Sequence, residues 1–405
     1  MTMIENGGVT SPKGFKAAAG YAGIGDDKEK GDIALIASTV VGNAAAVYTK
    51  NKVKAAHISV MKNHLEGGMA QAILCNSGNA NTCTMNGIEI AQRACEIVGR
   101  ELDIDPVFVL PASTGVIGVE MRIAPFENTI PGLCEGLSRE GGKAAAKAIM
   151  TTDTKPKEAA ISFMCGGREC VLGAVTKGSG MIHINMGTML SFMTTDAAIS
   201  PELLQKALDE EVIDSYNQVT IDGDTSTNDT LVIIANGEAG NVIIDREGAD
   251  YDSFRAALHE MSVLMARKIA GDGEGCTKLI QAHVKNAPGK EQARIISRSI
   301  ISSDLVKTAI FGEDANWGRV LCAIGYAPCD FSVINVDVDL SSRAGTIPVC
   351  RGSMAVGFDE DTAVRILKEE EVDIEVDLHD GSYEAFAWGC DLTYDYVKIN
   401  GEYRT

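Results

Sequence analysis

Apolar and polar positions along this chain alternate in two registers, and each register predicts its own elements. The run GDIALIASTVVGNAAAVYTKNKV (31–53) reads as strands, with turns at Gly42–Asn43 and Lys50–Asn51. AQAILCNSGNANTCTMNGIEIAQRACEIVGREL (70–102) reads as a strand, a loop of small polar residues and a helix. Ile88, Ala91, Ala94, Cys95 and Val98 give that helix an apolar stripe at helical spacing. PVFVLPASTGVIG (106–118) is a strand feeding a turn, and LCEGLSREGGKAAAKAIM (133–150) is helical. Residues 158–185 read as two strands joined by a turn at Gly166–Gly167. Ser200 caps a helix with Pro201 in its first turn, and residues 251–275 form another with a basic end and a glycine stop. From about residue 330 short alternating strands surround one helix near EDTAVRILKEEE, so a small antiparallel α+β unit is expected at 330–405. The class is α+β, built in layers.

Composition narrows the function. The chain has 405 residues, 45% of them apolar and 23% charged, as in ordinary globular proteins. Its formal net charge of −20 repels nucleic acid and anionic membrane, so neither is expected as a partner. No segment has the ~18 uninterrupted apolar residues of a membrane span, and the first 20 residues lack a secretory pattern. Eleven cysteines include no C-x-x-C pair, which suits reduced thiols, a cytoplasmic location and no zinc site.

Four segments are richer in glycine and small polar residues than a core requires: NSGNAN (76–81), PASTGVIG (111–118), KGSGMIHINMGTML (177–190) and DGDTSTND (222–229). DGDTSTND lacks the glycine position and closing glutamate of an EF-hand, and GDGEGCTK lacks Walker spacing. There is no G-x-S-x-G elbow, and His183 reads as a structural histidine. Gly187–Thr188 admits two readings. One is a kink in a buried strand. The other is a hidden N-terminus: the Thr188 hydroxyl attacks the preceding carbonyl, the ester hydrolyses, and the freed α-amine becomes the base for that hydroxyl. The oxyanion then needs donors, and a turn such as Thr114–Gly115 is a sensible supplier.

KGSGMIHINMGTML resembles the signature of the ornithine acetyltransferase (glutamate N-acetyltransferase) family. PKGFKAAAGYAGI, NSGNANTCT, PASTGVIG, MTTDTKPK, DGDTSTNDT, AGDGEGCTKL, GEDANWGR and YVKINGEYRT follow in that family's order along nearly the whole chain. The resemblance implies an αββα sandwich like that of the Ntn-hydrolases in layering, shared with autoprocessing aminopeptidases. It implies cleavage between Gly187 and Thr188 into chains 1–187 and 188–405, which pair as α2β2. The implied reaction moves acetyl from N²-acetyl-L-ornithine to L-glutamate in arginine biosynthesis. No cofactor is required, and some members also take acetyl from acetyl-CoA. Residue by residue, it implies Thr188 as nucleophile and Thr114 and Gly115 as oxyanion hole. Thr151, Lys177, Glu274, and Asn400 and Thr405 on the last strand and tail would bind the amino-acid substrate with Thr188. Two positions depart from the signature: Ile184 replaces a proline and Gly187 an alanine. The competing readings are an amidase using the same threonine and a binding protein without turnover.

Overall fold

The computed structural model describes residues 1–183 and 189–402. Its first half contains β1 (Thr2–Ile4), β2 (Phe15–Gly20), β3 (Ile33–Tyr48), α1 (Ala56–His64), β4 (Met69–Asn76), α2 (Gly87–Leu102), β5 (Val109–Ser113), α3 (Ala124–Glu135), α4 (Gly142–Ala148), β6 (Lys157–Cys165), β7 (Arg168–Lys177) and β8 (Ile182–His183). Then follow β9 (Leu190–Thr195), α5 (Pro201–Asp214), β10 (Thr220–Thr225), β11 (Thr230–Ala235), α6 (Ala249–Ala270), β12 (Leu279–Ala287), α7 (Lys290–Ser302), α8 (Asp304–Phe311) and α9 (Trp317–Gly325). The chain closes with β13 (Asp337–Ser342), β14 (Gly345–Arg351), β15 (Met354–Ala355), α10 (Glu360–Leu367), β16 (Glu371–Asp377), β17 (Tyr383–Cys390) and α11 (Tyr394–Glu402).

Nine strands form one sheet in the order β1-β6-β7-β9-β11-β3-β4-β5, with β2 also paired to β3. The sheet is folded over on itself, and β3 is the strand that carries it across. The first half of β3 pairs with β2 and β4, and its second half pairs with β11. Side chains alternate across a strand, so parity assigns each residue a layer. Ala34, Ile36, Ala44 and Ala46 all face one middle core, with Ile73 of β4 and Phe192 of β9. Ile33 and Leu35 face the other way, onto α2 and α3. Ala45 and Val47 face α5 and α6. The layering is therefore helix, half-sheet, half-sheet, helix, the αββα arrangement that the family resemblance implies.

The bend explains one difference from the sequence reading. Gly42–Asn43 is not a turn between strands. It lies within β3, after a register shift between Ala37 and Gly42. A side chain at 42 would meet the Ala235 carbonyl at 2.7 Å, so glycine lets β11 close against the bend. Three further readings are corrected. Ile88 is 50% exposed, and Ile90 and Ile97 take the buried stripe of α2. The helical reading of 133–150 breaks between Glu135 and Gly142, after Pro131 inside α3. Asn400 stands on a helix, not on a strand.

The Gly166–Gly167 hairpin and the Ser200 cap stand as read. Both glycines have positive φ, at 55° and 72°, and the Ser200 hydroxyl accepts from the Leu203 N–H. A second sheet, β15-β14-β13-β16-β12-β17, has its own core with α7 and α10. It draws in β12 and three helices that precede residue 330, where the alternating texture begins, because β12 pairs between β16 and β17. Among the described residues no helix is long and apolar enough to cross a membrane.

Gly42→Val should overpack the bend and lower unfolding free energy by about 2 kcal/mol, read as a lower urea midpoint with an unchanged m-value. An unshifted midpoint would mean that β11 does not depend on glycine at 42.

Candidate active site

The four small-polar segments meet at one place. A cavity of about 270 Å³ lies where the ends of β5 and β7 and the start of β9 come together. Thr114, Gly115, Thr151, Lys177, Glu274 and Asn400 all line it. Met181 and Met189, flanking residues 184–188, line it too. Gly187, Thr188 and Ile184 lie outside the described residues, as does Thr405.

Lys177 ends β7, directly opposite Leu190 in the β7–β9 pair. Its ammonium donates to the Thr151 hydroxyl at 2.8 Å and to the Thr114 hydroxyl at 3.3 Å. Burial lowers its pKa from the ordinary lysine value, and the charge of Asp153 pulls the other way. Thr114 follows the end of β5. Its N–H is taken by the Asn76 carbonyl at 3.0 Å, while its hydroxyl proton stays available because that oxygen accepts from Lys177. The Gly115 N–H donates to no described residue. Gly115 has φ +131°, and a Cβ there would meet the backbone of Gly78 at 2.4 Å. The NSGNAN loop therefore presses against the Thr114–Gly115 turn, and only glycine fits between them. Asn76 and Asn79 brace that loop, as read from the sequence. Asn76 Nδ2 donates to the Asn79 carbonyl and Asn76 Oδ1 accepts from Ser113.

Glu274 forms the opposite wall. It is buried, and the Asn400 amide of α11 donates to it at 2.7 Å. A Cβ on Gly180 would lie 2.3 Å from the Glu274 carboxylate, so a bare backbone brings the two walls together.

Sequence reasoning missed the groups that hold these walls. Lys157, 2% exposed, donates to Asp153 at 2.6 Å and to Asp272 at 2.5 Å. Asp153 also accepts from the Gly178 N–H at 2.7 Å and the Thr151 N–H at 3.1 Å. Ser179 donates its hydroxyl to the Asp272 carbonyl at 2.7 Å. Burial alone would raise the Asp153 pKa, but the ammonium groups of Lys177 and Lys157 and the Gly178 N–H hold it down to about 2. Asp222 accepts from the N–H groups of Met181 at 2.6 Å and Ile182 at 2.8 Å, and fixes Met181 at φ +54°. Asn228 ties the Ala80 and Ser113 carbonyls together beneath the cavity. All of these sit inside quoted segments, so composition marked the stretches, but pairing across 115 residues leaves no local signal. His183 is not among the residues that line the cavity. It contacts Thr220 at 3.0 Å, and burial, then the charge of Arg298, lowers its pKa to about 4. Cys75 is a buried thiol whose pKa burial raises.

A layered α+β protein whose sheet ends frame one polar, charged cavity is the class that fold and site define. Comparison with known proteins gives the family: the ArgJ family model matches residues 16–405, and the chain belongs to that family. The arginine biosynthesis bifunctional protein ArgJ of Symbiobacterium thermophilum is 49% identical over 401 residues, 98% of this chain and 99% of the relative. That of Caldanaerobacter subterraneus subsp. tengcongensis is 47% identical over 406 residues, 99% of this chain and 100% of the relative. The crystal structure of arginine biosynthesis bifunctional protein ArgJ from Bacillus halodurans matches at TM-score 0.51 and 45% identity, covering 53% of this chain and 100% of that one.

The depressed Asp153 pKa makes an acid-limb prediction. A carboxylate held to about 2, from an ordinary 3.8, adds stability that is fully present above pH 4 and lost as pH falls toward 2. The loss is on the order of 2 kcal/mol. Asp153→Asn should flatten that part of the stability–pH curve; parallel curves for the two proteins would refute the assignment.

Proposed function

We propose that this protein moves the acetyl group of N²-acetyl-L-ornithine to L-glutamate through an acetyl ester on Thr188. The observation that carries the reading is the cavity itself. Thr114, Gly115, Thr151, Lys177, Glu274 and Asn400 converge there, on the two ends of the segment that contains Thr188.

The steps use groups with suitable chemistry. Self-cleavage between Gly187 and Thr188 frees an α-amine, which takes the proton of the Thr188 hydroxyl as that oxygen attacks the acetyl carbonyl. The oxyanion is held by the Gly115 N–H and the Thr114 hydroxyl, the two unspent donors of that turn. Collapse breaks the amide bond, and the proton passes from the α-amine to the departing ornithine nitrogen. Glutamate then enters, its amine attacks the ester carbonyl, and Thr188 leaves with the proton returned. N-acetylglutamate is the product. Lys177 suits the substrate carboxylate, and Glu274 suits an ammonium group. Acetyl-CoA would enter the same two-step route as an alternative acetyl donor. The transferase reading is preferred over the amidase because the relatives are named for arginine biosynthesis.

The solved Bacillus relative supports the two-chain part. All of that chain is matched by 53% of this one, close to the share held by residues 188–405. Thr405 would complete the site from the tail, paired αβ units would assemble as α2β2, and the working location would be the cytoplasm.

Intact mass and N-terminal sequencing test the reading first. Two chains are expected, the second beginning Thr188–Met189–Leu190, and Thr188→Ala should give one 42.8 kDa chain without transferase activity. An uncut wild type that still transfers acetyl would overturn the mechanism. Lys177→Met should raise KM for both amino acids roughly tenfold or more, the cost of one charge-assisted hydrogen bond.

A further inference from the structure

A second cavity, of about 500 Å³, lies behind the wall that carries Glu274. Lys155, Lys157, Arg267, Lys268 and Lys278 line it. That is a notable concentration in a chain with 56 acidic and 36 basic residues. Two of the five are neutralised locally. Lys157 lies between Asp153 and Asp272, and Arg267 reaches Glu371 at 2.9 Å. Lys155, Lys268 and Lys278 make no ion pair and no ammonium hydrogen bond with a described residue. Glu158 feels the Lys268 charge without pairing to it. Glu370 is the one remaining acid of the lining.

The place of these lysines in the fold sharpens the point. Arg267 and Lys268 close the last turn of α6, where positive charge complements the helix dipole. That accounts for them without a ligand. Lys155 comes from the loop before β6, and Lys278 precedes β12, so no helix end asks for either. Lys278 is only 8% exposed. An ammonium that lines a cavity and has no described partner is favoured by a counter-charge there, and a bound anion supplies one. With Lys268 accounted for by the helix end, a single carboxylate would still leave one of Lys155 and Lys278 uncompensated. A phosphate carries nearly two charges and several acceptor oxygens, which suits lysines acting as point charges.

We propose that this cavity is a binding site for a phosphate-bearing small molecule, distinct from the acetyl-transfer cavity. The two share a wall: Lys157 and Asp272 face the second cavity, and Asp272, two residues before Glu274, accepts the Ser179 hydroxyl at its carbonyl. An occupant is therefore one ion pair away from the groups that set the substrate wall.

Isothermal titration of the purified full-length protein with pyrophosphate, at fixed ionic strength, tests the site without reference to the transferase reading. Saturable binding is expected, weakened at least tenfold in the double variant Lys155→Ala/Lys268→Ala. Both positions lie toward the surface and outside the acetyl-transfer cavity, so folding should survive; Lys278→Gln should weaken binding further. No saturable binding by the wild type, or equal affinity in the double variant, would overturn the proposal. KM then identifies the source of the phosphate. A rise for acetyl-CoA alone, with N²-acetylornithine unchanged, means that the site holds the phosphates of a thioester donor. Unchanged KM for both donors, with pyrophosphate binding lost, means that it holds a free phosphorylated metabolite.

Discussion

The structure depends on one strand that belongs to two layers. β3 is 16 residues long, and Ala34 and Ile36 before its bend face the same middle core as Ala44 and Ala46 after it. A slip of one residue in either half would turn Ala34 and Ile36, or Ala44 and Ala46, out of that core. It would also present Leu35 or Val47 to the wrong layer. Because β2, β4 and β11 all take their register from β3, the position of every loop at the sheet ends follows from this alternation. The site inherits that order. Thr114 extends β5, which is set by β4; Lys177 and Leu190 end paired strands; Asn228 lies two residues ahead of β11.

Fastening the two walls of the cavity requires charge in a place without water. A buried lysine between two buried aspartates is seldom the most stabilising filling for a core, since desolvation takes back much of the Coulombic gain. What it supplies here is fixed spacing. Asp153 holds the Gly178 and Thr151 N–H groups, and Asp272 holds Ser179 and the loop of Thr154. Apolar side chains of equal volume could fill the space, but they could not hold the 151–154 loop and the Gly178 N–H by hydrogen bonds at once. The Lys177 ammonium, close to this cluster, stays beside Thr114 and Thr151 for the same reason.

Much of this was legible in the sequence, and the rest was not for definable reasons. Parity in GDIALIAS and NAAAVY marked strand; what it could not mark was that Gly42 is a bend under pressure from Ala235, because that contact spans almost 200 residues. The stripe on α2 was legible in period but misplaced at Ile88, which the first helical turn carries out to solvent. Small-polar segments marked the site well, since cores do not need such composition. Their partners stayed hidden. Lys157 reads as an ordinary strand-start lysine until Asp272, 115 residues away, is set against it. Asn400 needed tertiary context as well: the alternation in SYEAFAWGCDLTYDYVKI continues past Cys390, but the chain turns into a helix and brings its amide to Glu274.

The strand order has a consequence for the life history of the molecule. β9 and β11, from beyond residue 188, lie between β7 and β3, from before it. A single cut between His183 and Met189 would leave two polypeptides woven through one sheet, each supplying the neighbours that the other's strands require. Such pieces share hydrogen bonds on both sides of β9 and β11 and a common core through Phe192 and Ile73. They have no independent folded state to dissociate into. Dilution, which separates ordinary subunits, would not part them; they would come apart only by unfolding, and pieces made separately would have to fold around each other. The cut would thus be a change of covalent connectivity without a change of architecture, and the number of chains would no longer report the number of folding units.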